Sequence, residues 1–268
     1  MELRTESSVI EYEVRGEGSP VTLFAHGLGG GIAETRPLGS GVLGTKVFMH
    51  QRGHGHSSAW GGGPWDYPAL AADLEAMADA VHATRFLGVS LGVGSCLALL
   101  ETRPDRFERC VFFLPGALDQ PRDPEVASRL IRGADLVDTG DLQGLQAFIV
   151  QDVPESRRDS PAAIAYAASR AQALVGTSVS RLFRALPSVA PVTNALLLRE
   201  VTAQCLVLGQ EGDHVHPAPL ARELGAMLGP RGCPVHVFPE PGAMWTARQE
   251  LRRLITEHLN APSTPAQE

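Results

Sequence analysis

The chain has 268 residues, 44 % of them hydrophobic and 20 % charged, with a formal net charge of -7. That length suits one α/β domain carrying an insertion and is long enough to bury a large core, which argues against two unrelated domains. With 23 Lys and Arg against 30 Asp and Glu and no basic run to follow a phosphate backbone, nucleic acid is not an expected partner.

The opening Met1-Glu2-Leu3-Arg4-Thr5-Glu6 lacks the apolar core of a signal peptide, and no apolar run reaches the length of a membrane span. The expectation is a cytoplasmic protein, a monomer or homodimer with no membrane partner. Val9 to Val14 alternates as an edge strand does. Gly16-Glu17-Gly18-Ser19-Pro20 then turns the chain into Val21-Thr22-Leu23-Phe24-Ala25, a continuous apolar strand. His26-Gly27-Leu28-Gly29-Gly30-Gly31 follows directly. Such a loop exposes backbone N–H groups and folds close to a ligand, but it lacks the Lys-Ser/Thr of a P-loop and the G-x-G-x-x-G of a dinucleotide site. An oxyanion loop fits better, with the N–H of Leu28 as one donor.

Thr45 to Met49 is the next strand, followed by His50-Gln51-Arg52-Gly53-His54-Gly55-His56-Ser57. Three alternating histidines raise a metal site, but no carboxylate or thiolate lies nearby in the chain, and a glycine-punctuated loop does not force convergence; no metal is expected. From Asp66 to His82, Leu70, Leu74, Met77 and Val81 share one helical face, with Asp73, Glu75 and Asp79 on the polar one.

Thr84 to Leu87 is a short buried strand that runs into Gly88-Val89-Ser90-Leu91-Gly92, and Leu91 to Leu100 is apolar nearly all round, as a core helix is. A G-x-S-x-G between strand and helix sets a serine on a strained turn, where flanking side chains would collide with their neighbours. Ser90 is the candidate nucleophile, and the N–H of Leu91 the second oxyanion donor. Cys110 to Leu114 is another buried strand. From about Leu118 to Ala195 helical patterns run without strands, for example Leu142, Leu145, Phe148 and Ile149, then Ile164, Ala168, Ala171 and Val175. This reads as a helical cap whose apolar faces line a pocket over Ser90.

Strands resume at Cys205 to Gly209, and Gln210-Glu211-Gly212-Asp213-His214-Val215-His216-Pro217 leads into a helix. Val235 to Phe238 is the last strand, Leu251, Leu254, Ile255 and Leu259 stripe the last helix, and residues 263–268 read as a loose tail. Cys96, Cys110, Cys205 and Cys233 form no C-x-x-C pair and read as reduced, mostly buried thiols.

The His26-Gly27 loop, Arg52-Gly53-His54-Gly55-His56-Ser57, the Ser90 elbow and the Asp213 turn, in this order, resemble the α/β-hydrolase family along nearly the full chain. The resemblance implies a mostly parallel central sheet flanked by helices, with a core at 1–117 and 196–262 and a cap at 118–195 inserted after the sixth strand. It implies a triad of Ser90, Asp213 and a histidine after the last strand, with Asp119 as runner-up acid. It further implies substrate contacts at His26, Gly27, Gly29 and Trp245, and neither a metal nor an organic cofactor. Trp60 and Trp65 are further candidates for the mouth.

The histidine position, after Gly242, holds Ala243. An alanine accepts no proton, and the resemblance places His216 in a common Asp-x-Val-His-Pro string rather than in the role of base. The expectation is therefore a serine hydrolase of an ester, thioester or lactone of a small to medium apolar acyl compound, stalled by a His-to-Ala substitution at 243. The rival readings are a ligand-binding protein on the same scaffold and a cyclase, lyase or C–C bond-cleaving enzyme.

Overall fold

The structure, a computed structural model, describes residues 1–59 and 63–262; Trp60 and the 263–268 tail lie outside the described residues. Nine strands are described: β1 (Glu2–Arg4), β2 (Ser8–Arg15), β3 (Val21–Ala25), β4 (Thr45–Met49), β5 (Ser58–Ala59), β6 (Arg85–Val89), β7 (Arg109–Phe113), β8 (Gln204–Gln210) and β9 (Val235–Phe238). They form one sheet in the order β1-β2-β4-β3-β6-β7-β8-β9, with β5 paired to β2. From β4 to β9 every pairing is parallel, while β2 runs antiparallel to β1, β4 and β5. The Val9 to Val14 segment is therefore not an edge strand, because β1 pairs along its outer side.

The parallel strands are buried on both faces, and alternation sorts their side chains. Leu23 and Phe86 join one apolar cluster together with α2 (Tyr67–Ala80), α3 (Leu91–Thr102) and α8 (Ala218–Met227). Phe24, Leu87 and Val89 join the other, with α1 (Ile32–Thr35) and α10 (Arg248–Asn260). Asp66 caps α2 by accepting from the Ala69 N–H at 3.0 Å. Asp73 departs from its expected place on the polar face of α2: it is 1 % exposed. Arg52 reaches it through Nε and a terminal nitrogen at 2.8 and 2.9 Å, and the Ser8 hydroxyl donates to it at 2.5 Å. Helical periodicity sorts residues by polarity and cannot register a guanidinium arriving from another loop to neutralise one.

Between β7 and β8 lie α4 (Pro124–Thr139), α5 (Leu142–Val150), α6 (Pro161–Leu174) and α7 (Val179–Ala185). With the two-residue β5, which lies off the main strand order, set aside, this insertion follows the sixth strand. Its own core holds Leu130, Ala134, Leu145, Ile149, Ala167, Ala171 and Phe183, and Leu28 and Val215 pack against it. The face α6 buries runs through Ala163, Ala167, Ala171 and Leu174, sharing only Ala171 with the expected stripe; Ile164 is 57 % exposed. Small alanines allow α5 and α6 to approach closely, so size rather than hydrophobicity chose the face. Among the described residues no helix is long and apolar enough to cross a membrane. Cys96, Cys110 and Cys205 are buried free thiols, and Cys233 is partly buried.

Candidate active site

Ser90 stands between β6 and α3 with φ +48° and ψ -96°, a backbone conformation that a non-glycine residue adopts only under constraint. The constraint is visible: the Ser90 N–H donates to the Phe113 carbonyl at 2.9 Å, and a Cβ at Gly92 would overlap the Ala25 carbonyl. Gly27 passes so close that a Cβ there would lie 3.5 Å from the Ser90 Cβ.

The loop after β3 is tied to the elbow. Gly92 N–H donates to the His26 carbonyl at 3.1 Å, which brings Leu28 and the first residue of α3, Leu91, to the same end of the sheet. Neither the Leu28 nor the Leu91 N–H has a partner among the described residues, as a pair of donors reserved for a developing oxyanion requires.

His26 does not face the site. Its ring is fully buried, with Nδ1 against the Gly27 carbonyl at 2.8 Å and Nε2 accepting from the Gln51 N–H at 3.1 Å. His54 is buried beside it, ring centroids 4.6 Å apart, and its Nε2 accepts from the Gly29 N–H at 2.8 Å. Burial pushes His54 down to about 3, and His26 well below its ordinary value, so both rings stay neutral and each keeps a nitrogen free to accept. His50 and His56 instead bond Glu11, at 2.7 and 3.2 Å. The alternating histidines thus brace the oxyanion loop and β2, and among the described residues no metal-ligand cluster forms.

The base position is where the structure departs furthest from the expected empty site. The His216 Nε2 lies 2.8 Å from the Ser90 Oγ, and its Nδ1 lies 3.0 Å from Asp213 Oδ2. The turn itself explains how a residue three places from the acid reaches back over it. Asp213 Oδ1 accepts from the N–H groups of Val215 and His216 at 2.8 and 3.0 Å, which winds the chain about the carboxylate. Oδ2 is left for the ring and for the Gln210 amide, which donates to it at 2.7 Å. Burial works to raise the Asp213 carboxyl, but the His216 ring, Gln210 and the His216 N–H outweigh it and hold it well below the carboxylate range. An anionic Asp213 selects the tautomer with a proton on Nδ1, leaving Nε2 to accept from the Ser90 hydroxyl.

Ala243 opens α9 (Ala243–Thr246) and is 0 % exposed, within the same apolar cluster as Phe24 and Leu208. Its N–H donates to Gln210 Oε1 at 2.9 Å, so the same glutamine binds Ala243 on one side and Asp213 on the other. Gly242, at φ +76°, is roofed by Pro154 of the insertion. Asp119 makes no bond to the His216 ring; that contact belongs to Asp213.

Ser90 lines neither of the two cavities described. One of about 760 Å³ lies behind the oxyanion loop, with Gly30, Tyr166, Arg170 and Trp245 in its wall. The other, about 240 Å³, flanks the acid turn between Leu118, Val126, Val215 and Pro217 and includes Asp119. Trp245 therefore stands with Tyr166, ring centroids 5.4 Å apart, and Gly29 is covered by Phe183 and Arg170. Trp65 lies under Arg181, whose guanidinium is 5.4 Å from its ring. Of the expected substrate contacts only Gly27 adjoins Ser90.

No protein-family model matches the sequence, and no curated protein matches it. Solved structures do. A hydrolase from Pseudomonas aeruginosa superposes with a TM-score of 0.80 at 20 % identity, covering 97 % of this chain and 98 % of its own. The enol-lactonase from Burkholderia xenovorans gives 0.78 at 18 % identity over 95 % and 97 %. A thermophilic esterase from Thermogutta terrifontis gives 0.76 at 18 % identity over 98 % and 99 %. At such identities the likeness concerns architecture: the chain has the α/β-hydrolase fold.

Proposed function

We propose that the chain is a serine hydrolase of carboxylic esters, thioesters or lactones, working through Ser90, His216 and Asp213 with its base on the acid turn. The observation that carries this reading is the continuous relay from the Ser90 Oγ to His216 at 2.8 Å and from His216 to Asp213 at 3.0 Å. A serine alone is a weak nucleophile; a serine bonded to an imidazole that a carboxylate orients is not.

Ser90 Oγ attacks the acyl carbon while His216 Nε2 takes its proton, and the oxygen that becomes negative is held by the Leu28 and Leu91 N–H groups. Collapse breaks the bond to the alkoxide or thiolate, which leaves with the proton from His216. Water then gives a proton to the same nitrogen, attacks the acyl-serine, and releases the acid as Ser90 regains its hydrogen. No step calls for a metal or organic cofactor. The fold neighbours include an enol-lactonase and esterases, which suits this reaction class.

The test is turnover of p-nitrophenyl esters from acetate to octanoate, with thioesters and lactones alongside, for the chain as it stands and for Ser90→Ala. Turnover that disappears in Ser90→Ala, with acyl-serine mass trapped by an aryl phosphonate, is expected. Equal inertness of the two proteins toward esters and phosphonate would remove the reading.

A further inference from the structure

A peptide group is planar, so holding its carbonyl sets the direction of its N–H. In the Gly27–Leu28 peptide the carbonyl accepts from the Gly30 N–H at 2.9 Å and from His26 Nδ1 at 2.8 Å, which turns the Leu28 N–H the other way. The next peptide is gripped from two sides. Its N–H, on Gly29, donates into the core to His54. Its carbonyl, on Leu28, accepts at 3.0 Å from a guanidinium nitrogen of Arg170, which belongs to the insertion.

Arg170 does more than meet one carbonyl. Its Nε donates to the Gly29 carbonyl at 2.6 Å, and another nitrogen pairs with Glu34 of α1 at 2.9 Å. Tyr166, one helical turn back on α6, bonds both Arg170 and Glu34 and offers its ring 5.7 Å from the guanidinium. The Arg170 side chain is only 16 % exposed. Burial opposes its charge, but Glu34 and Tyr166 outweigh that and hold the guanidinium above its ordinary value. A planar fork spreads its donors over three nitrogens and so reaches two successive carbonyls and a carboxylate together, a span that the single nitrogen of a lysine does not have.

We propose that Arg170 is a positioning residue through which the helical insertion holds the oxyanion loop in register with Ser90. The insertion is then a working part of the acyl-transfer site as well as its cover: without the α6 contact the grip on the Leu28–Gly29 peptide is lost and the Leu28 N–H loses its aim. This rests on the acyl-transfer reading above. Arg170 touches no reacting atom, so its removal acts on the rate after binding and leaves substrate affinity nearly unchanged.

Three variants separate this role from a general loss of packing. Arg170→Met removes the grip and Arg170→Lys keeps at most one carbonyl. Arg184→Met removes an insertion arginine whose ion pairs are with Asp135 and Asp138 of α4 rather than with the loop. On an aryl ester, Arg170→Met is expected to lower kcat about ten- to a hundredfold with KM within about twofold, just below the loss of a whole oxyanion donor. Arg170→Lys should recover part of this, and Arg184→Met should match the parent. Amide hydrogen exchange, which needs no turnover, should accelerate at residues 28–31 in Arg170→Met and stay unchanged there in Arg184→Met. Unchanged kcat and unchanged exchange at 28–31 would overturn the proposal, as would acceleration spread evenly over the sheet. If Arg170→Met does not fold, Arg170→Lys is read by the same two measures. Inertness of the parent toward esters would refute the hydrolase reading, while exchange at 28–31 would still decide whether Arg170 grips the loop.

Discussion

The turns after β8 and β9 end neighbouring parallel strands and share one glutamine, yet they carry opposite loads. After β8 the Asp213 carboxylate draws the Val215 and His216 N–H groups onto itself, and the His216 ring returns over it toward Ser90. After β9 the chain turns through Gly242 beneath Pro154, and Ala243 is sealed into the core. The comparison teaches that reach decides which side chain meets Ser90. Asp213 and His216, within four residues of each other, join Ser90 in one chain of hydrogen bonds without a side chain from the turn after β9.

The hardest blow to this comparison falls on His216. His216→Ala is expected to lower kcat for an aryl ester by about 10⁴- to 10⁶-fold, and combining it with Ser90→Ala should cost little more than either alone. Ser90-dependent turnover that survives His216→Ala would return the base to some other residue. Next comes Ala243→His, expected to give no gain in turnover: an imidazole forced into a site with no exposed surface overpacks it by about 1–3 kcal/mol. Calorimetry should show this as a melting temperature lower by several degrees, and a rise in turnover would place the base after β9 after all.

Gln210→Met sharpens the comparison by cutting the bond between the two turns. It removes one hydrogen bond from Asp213 and one from the Ala243 N–H, and kcat should fall about tenfold, the worth of one hydrogen bond to a charged group. The smallest effect distinguishes His216 from the scaffolding histidines. His54 is held neutral in the fold by its pKa of about 3, whereas in the unfolded chain it takes up a proton as the pH falls through about 6.5. Its contribution to stability is thus whole above pH 6.5 and drains away toward pH 3, with about 1 kcal/mol gone between pH 7 and 5.5. Melting temperatures across that range should fall, and His54→Gln should flatten the slope.

Much of the site was legible in the chain because local geometry demanded particular residues. Only glycine fits at 88 and 92 around the Ser90 elbow, so the elbow declares itself by its neighbours. Asp213 stands out because an acid directly after an apolar strand reaches the end of the sheet. The helical character of the insertion, read at 118–195 and seen as helices within 124–185, was equally plain, from helical patterns with no strand between them.

What was not legible shares one cause. Asp73 reads as a surface residue until Arg52, 21 positions away, arrives to pair with it. Ile164 reads as core until small alanines bring two helices close enough to turn it outward. His26 reads as a substrate contact until Gln51 and Gly27 claim both of its nitrogens. The order of residues determined which groups this protein has available, where its backbone must bend, and that a serine is lifted at the end of a sheet strand. Which imidazole meets that serine was decided only when four strands' ends were brought together. Spacing along the chain measures contour length, whereas proton transfer depends on a separation of about 3 Å set by the turn's hydrogen bonds.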